Sequence, residues 1–278
     1  MEKKISYMKQ LKLSCLILSG FFTISMVYAE EKIETQYPDT VKIQIGYYFI
    51  ADTNTEVAVN STVGNIGTVI ELERDLDIDD KLGIPRIDAY YRFNNNHRID
   101  FSWFSIDRKG TKTISLDFIY NGELFSASES IASEIQTDFY KVAYAYSFYH
   151  NPKVELSITA GLNLLTYKIG LNNLSTGNNQ SAEVTAPLPV FGLRMDYSIT
   201  PQWSVLYRVE TFYIDINDKF RGSLIDAEVG TEYRFTKHIA LGLSLTRFAI
   251  DAKIKSPKYT GGLNDLYRGI NLFGIAYF

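Results

Sequence analysis

The sequence predicts an all-β fold, a closed antiparallel barrel of about ten strands that crosses a membrane with those strands. Three observations carry this. Apolar and polar residues alternate with period two in segment after segment. Tight turns alternate with long polar connections along the chain. The polar parity of the strands also holds charges of both signs, which suits an enclosed surface.

Residues 1–29 read as a cleaved signal peptide, leaving 30–278 as the barrel. Lys3, Lys4, Lys9 and Lys12 form a basic region, Leu13 to Val27 an apolar stretch, and Val27-Tyr28-Ala29 a cleavage site before Glu30. The apolar run falls short of the ~20 residues a spanning anchor needs. The single cysteine, Cys15, lies inside it, so the mature chain offers neither a disulfide nor a thiolate metal site. The whole chain carries 28 Lys+Arg against 32 Asp+Glu, a formal −4; losing the leader's four Lys and one Glu takes it to −7. That balance gives no reason to expect nucleic acid as a partner.

Ten strands are expected, over 41–52, 84–93, 98–108, 135–148, 154–170, 187–199, 203–216, 220–235, 239–252 and 266–278. Eight remain an alternative if one pair is wrongly divided. The alternation is plain in several. Ile87, Ala89, Tyr91 and Phe93 oppose Arg86, Asp88, Tyr90 and Arg92, and Val154, Leu156, Ile158, Ala160, Leu162 and Leu164 oppose Glu155, Ser157, Thr159, Gly161 and Asn163. Ile225 through Phe235 opposes Asp226, Glu228, Gly230, Glu232 and Arg234, and Ile239, Leu241, Leu243 and Leu245 oppose Ala240, Gly242, Ser244 and Thr246. Short turns follow aromatic strand ends at Asn94–His97, His150–Lys153, Thr200–Gln202 and Thr236–His238. The opposite connections are long and polar, over 53–83, 109–134, 171–186 and 254–265, with one short turn near Asn217–Lys219. Thr68–Asp77 and Thr113–Phe125 carry strand-like residues, so some loops are expected to continue as hairpins.

A soluble barrel alternates too, so the polar parity decides. It holds Arg86, Asp88, Arg92, Asp100, Lys141, Glu155, Arg194, Asp196, Arg208, Glu210, Glu228, Glu232 and Arg234. Both signs at this density suit a narrow lumen in which carboxylates and guanidinium groups neutralise one another. Aromatic residues at the short-turn ends match the girdle at a bilayer interface. Pro187 and Pro189 are expected where a strand begins, outside the hydrogen-bonded span. The chain ends inside an alternating strand, at Gly274-Ile275-Ala276-Tyr277-Phe278.

Ten amphipathic strands behind a leader, with a terminal Phe278, resemble the small Gram-negative outer-membrane barrels of the OmpA/OmpW type. The runs Ile87 to Phe93, His97 to Phe101 and Tyr146 to Asn151 look like an uncharacterised branch of that group. The resemblance implies an address in the outer membrane, with outer-membrane lipid, lipopolysaccharide and the barrel-assembly machinery as partners. It also implies that Phe278 belongs to the signal the assembly machinery reads; the aromatic usual two residues before the end is replaced by Ala276, with Tyr277 beside it.

Enzyme chemistry is not expected. His97, His150 and His238 all lie in short turns, away from any substrate on the loop side, and no G-x-S-x-G, H-E-x-x-H or Walker-type loop occurs. The acidic run Glu71, Glu73, Asp75, Asp77, Asp79 and Asp80 lacks the Gly and terminal Glu of a Ca²⁺ loop and reads as solvated charge. No metal and no cofactor is therefore assigned. A structural or surface-interaction barrel with a lumen plugged by paired charges is the leading reading, with a narrow passive channel as the alternative; no extracellular ligand or host surface is named.

Overall fold

The computed structural model describes residues 39–61, 67–115, 117–120, 123–216, 220–255 and 259–278. The leader at 1–29 and the turn at 217–219 lie outside the described residues. In chain order the elements are β1 Val41–Ser61, β2 Gly67–Glu71, α1 Leu72–Leu76, β3 Leu82–Arg92, β4 His97–Thr113, β5 Phe118–Tyr120 and β6 Glu123–Phe125. There follow β7 Ser130–His150, β8 Val154–Asn173, β9 Asn179–Ser198, β10 Trp203–Ile216, β11 Phe220–Arg234, β12 Ile239–Lys255 and β13 Tyr259–Tyr277. Ten of these, β1, β3, β4 and β7 to β13, form one antiparallel ring, because β1 pairs with β3 on one side and with β13 on the other. Closure reaches the last residue: the Phe278 amide donates to the Val41 carbonyl at 2.9 Å, and its own carbonyl accepts from the amides of Thr40 and Val41.

Local chemistry explains the short-turn end. In four successive turns a side-chain oxygen at the same place accepts two backbone amides. Asn94 accepts from Asn96 and His97, Asn151 from Lys153 and Val154, Thr200 from Gln202 and Trp203, and Thr236 from His238 and Ile239. Such turns satisfy amides that the ladder leaves unpaired. Beside them, Tyr91, Phe93, Tyr146, Phe148, Trp203 and Phe235 stay exposed. Edge-to-face pairs join Tyr91 to Phe93 and Tyr233 to Phe235, each at 5.0 Å.

The faces are inverted relative to a water-soluble barrel. Ile43, Ile45, Tyr47 and Phe49 of β1 and Leu241, Leu243 and Leu245 of β12 point outward and are exposed, whereas Lys42, Gln44 and Ser244 are buried inside. In β1 the parity changes at a bulge between Ile50 and Asp52. Beyond it Thr53 and Thr55 take the inner face.

The loop side differs from the sequence expectation. The connections expected over 171–186 and 254–265 are mostly strand, since β8 runs to Asn173, β9 begins at Asn179, β12 reaches Lys255 and β13 begins at Tyr259. Above the apolar band both faces of a strand are polar, so the period-two signal fades although the ladder continues. A strand of 21 residues such as β7 rises about 50 Å along the axis at a tilt of roughly 40°, twice the height of an apolar band of about 25 Å. Residues 53–83 hold the outer half of β1, its partner β2 and the helical turn α1. Leu72 and Leu76, one turn apart, are both buried under α1, and Asp77 ends it in the left-handed conformation at φ 56°. Residues 109–134 hold the ends of β4 and β7 and the β5–β6 hairpin. Pro187 and Pro189 also depart from expectation. They lie inside β9, paired with Leu164 and Leu162 of β8. Among the described residues β10 pairs with β9 only as far as Phe191, so both prolines sit where β9 has an open edge and a missing N–H costs no ladder bond.

Candidate functional site

Among the described residues most of the ring contributes to an enclosed lumen, built in layers from the short-turn end. A mouth of about 350 Å³ is lined by Lys42, Arg98, Arg194, Glu232, Arg234 and Tyr277 among others. Around it, Arg194 pairs with Asp196 at 2.7 Å, Arg98 with Asp100 at 2.7 Å, Arg234 with Asp39 at 2.6 Å, and Lys42 with Glu232. Arg234 also lies 3.7 Å over the Tyr277 ring, and the Tyr277 hydroxyl donates to Glu232. Nearby, Arg92 grips Glu155 through two parallel bonds of 2.9 Å.

The next layer is a connected ion network. Arg86 donates to Asp88 at 2.8 Å and lies 3.9 Å from Glu228. Arg208 reaches Glu228 at 2.9 Å and Asp226 at 3.5 Å. Lys141 meets Glu210 at 2.9 Å and Asp226 at 3.8 Å. All thirteen charged residues named on the polar parity sit within ion-pair distance of an opposite charge. Several partners stood outside that set: Asp39, Lys42 and Arg98, and Asp226, which was placed only on the polar parity of its strand. Parity could have found Lys42, which alternates with Ile43, and Arg98, two residues before Asp100.

Above the network comes a layer the polar pattern did not foretell. Phe104 stacks on Phe139 at 4.6 Å, and Phe139 meets Phe248 edge-on at 5.4 Å. Tyr48, Ile106, Leu165, Leu224 and Tyr267 join the same buried cluster. Phe139 stands on β7 and Phe248 on β12, five places apart in a ring of ten, so this contact spans the lumen from wall to wall. The interior parity turns apolar here, and alternation alone cannot separate an apolar residue facing in from one facing lipid.

A second polar layer lies beyond. Tyr167 of β8 donates to Asp265 of β13, again five places apart in the ring, and Thr55 donates to the same carboxylate at 2.9 Å. Arg108, fully buried, donates to Thr53, to Thr55 and, at 2.6 Å, to Glu73 of α1. Burial alone would push the Glu73 carboxyl up. The Thr55 amide and the Arg108 guanidinium outweigh that and hold it below the usual carboxylate range. Over this layer α1 and the β5–β6 hairpin close the end with their own core of Leu72, Leu76, Ile78, Phe118, Phe125 and Ile131.

Of the acidic run, Glu73 is turned inward to Arg108, and Arg74 bonds Glu71 and Asp75 at 2.7 and 2.8 Å, while Asp77, Asp79 and Asp80 are exposed. Among the described residues no group of three or more His, Asp or Glu side chains is arranged to hold a metal ion. His97 opens β4, His150 closes β7 and His238 precedes β12, all at the short-turn end. The His97 ring bonds the Tyr144 hydroxyl, and that of His238 bonds the Tyr277 carbonyl at 3.0 Å.

No protein-family model and no curated protein matches the chain. Among solved structures it is similar to the outer membrane protease OmpT from Escherichia coli, with a TM-score of 0.56 and 8% identity over 90% of this chain and 99% of that one. The likeness is one of fold. Looser overlaps occur with OprG from Pseudomonas aeruginosa (TM-score 0.37, 9% identity, 85% and 94% covered) and Ail of Yersinia pestis (TM-score 0.31, 12% identity, 85% and 96% covered). At those TM-scores the overlap is too loose to bear on this chain. The fold is a closed ten-stranded antiparallel barrel of the kind found in outer membranes.

Proposed function

We propose that the protein is a plugged barrel of the Gram-negative outer membrane, of the OmpA/OmpW type, with a structural or surface-interaction role. In this reading residues 1–29 are removed on export and 30–278 form the barrel. The loop end faces outward, and outer-membrane lipid, lipopolysaccharide and the assembly machinery are its partners. The observation that carries it is the wall-to-wall contact of Phe139 with Phe248, stacked between an ion network and the Tyr167–Asp265 bond. A lumen crossed by packed rings and neutralised charges leaves no continuous water path, because opening one would strand buried charges without partners. The outward Ile, Leu, Val and aromatic side chains supply the lipid-facing band. A role other than catalysis agrees with the three histidines at the short-turn end. Recording in planar bilayers tests the plug: the pure protein gives no reproducible unitary current, and reproducible currents overturn this reading.

The second reading, a narrow passive channel, is favoured by the mouth of about 350 Å³ at the short-turn end. It requires the Arg86–Asp88–Glu228–Arg208 network to open, and would be read in the same recordings as currents altered by Arg208→Ala.

A further inference from the structure

One row of the outer wall breaks its apolar character. Arg247 of β12 and Arg268 of β13 are register partners on the outward parity, flanked in the same row by Ala227 of β11 and Asp52 of β1. Toward the short turns the wall continues as Leu245 and Ile270, both exposed; toward the loops it continues as Ala249 and Leu266. Facing residues of an antiparallel pair hold their Cβ atoms about 5 Å apart, so two like charges share one spot, an arrangement that is destabilising by itself.

A single carboxylate answers them. Asp52 accepts from Arg268 at 3.2 Å. Arg247 has no acidic partner among the described residues, and its Nε is buried without a hydrogen-bond partner. Three other outward cations of this half of the wall stand with acids: Lys168 faces Glu183 in register, Lys109 bonds Glu134 at 2.9 Å, and Arg221 bonds Asp215 at 2.9 Å. One positive charge is therefore left over at the edge of the lipid-facing band. A guanidinium in that position reaches toward the headgroups and takes an anion there. Two forks side by side match the several oxygens of a phosphate, and the neighbours of Arg247 across and along its strand, Ala227 and Ala249, are small.

We propose that Arg247 and Arg268 bind a phosphate group of an outer-leaflet lipid headgroup. This rests on the orientation given under Proposed function, which puts the loop end outward. The test uses the folded barrel in maltoside micelles, with occupancy read by native mass spectrometry. Three probes are titrated: bisphosphorylated lipid A, the same lipid with its phosphates removed, and inorganic phosphate. The phosphorylated lipid binds at least about tenfold more tightly than the dephosphorylated one. Arg247→Gln and Arg268→Gln each remove most of that preference, Arg247→Lys restores part of it, and Asp52→Asn keeps it. Equal binding of the two lipids, or an undiminished preference in Arg247→Gln, overturns the site, and full competition by inorganic phosphate overturns its assignment to lipid. Heat-modifiable mobility verifies that each variant is a folded barrel. A chain that folds in plain buffer without detergent would instead overturn the membrane reading itself, whatever its lipid preference.

Discussion

Arg92 and Glu155 show what a single pair does in this lumen. Both are nearly inaccessible and joined by two bonds of 2.9 Å, so the alignment offsets the desolvation of two charges. Removing Arg92 takes from Glu155 its two charge-assisted bonds and leaves the Ser147 hydroxyl as a weaker donor. Arg92→Met is expected to cost about 3–5 kcal/mol in a urea titration of the barrel in micelles, and adding Glu155→Leu should return most of it. If the double variant is no more stable than the single one, the bridge is not what holds this part of the lumen. Glu73 makes a pH-dependent counterpart on the loop side. Its folded pKa lies below the unfolded value of about 4.3, so its contribution is complete above that value and is lost as pH falls through the folded pKa. Hydrogen exchange at residues 72–78 should accelerate on going from pH 6 to pH 3, and Glu73→Gln should remove that response while raising exchange at pH 6.

At the scale of elements, β1 joins two patterns by a bulge, and its neighbour β13 accommodates it with a glycine. A Cβ on Gly269 would stand 2.1 Å from the Phe49 carbonyl oxygen, a backbone atom that cannot swing aside. Gly269→Val is therefore expected to destabilise the β1–β13 seam by about 1–3 kcal/mol, the usual cost of forcing bulk into a packed site. Gly274→Val on the same strand meets open space and serves as the control. Equal unfolding midpoints for the two variants would remove the argument. The helical turn α1 depends on its setting in a similar way. Five residues do not hold a helix alone, and here Leu72 and Leu76 pack into the cap core while Glu73 bonds Arg108.

For the whole molecule, closure and orientation are the quantities at issue. Phe278 bonds the first strand through both its amide and its carbonyl, so it belongs to the seam as well as to the assembly signal proposed for it. Deleting it should lower the amount of assembled barrel while leaving export across the inner membrane intact; unchanged heat-modifiable mobility in the deletion strain would count against this. Orientation is read on intact cells. A surface protease should cut within 109–134 or 171–186 and spare the turns at His97 and His238; cutting at those turns instead would reverse the proposed topology.

The sequence by itself determined the ten strand cores of the ring and, where charged residues mark it, which side of each faces inward. Period-two alternation from Ile87 to Phe93 or Ile239 to Thr246 is a local property of consecutive residues, and a barrel with an apolar outside and a polar inside preserves it strand by strand. The polar turn residues Asn94, Asn151, Thr200 and Thr236 are equally local, each capping amides two and three positions on. The tertiary structure alone decided what meets across the lumen. That Phe139 touches Phe248, that Tyr167 reaches Asp265, and that Arg108 holds Glu73 depends on closure and on the stagger between strands far apart in the chain. It also decided the height of the wall, because above the lipid band the ladder persists on backbone hydrogen bonds after the hydrophobic alternation that would announce it has ended.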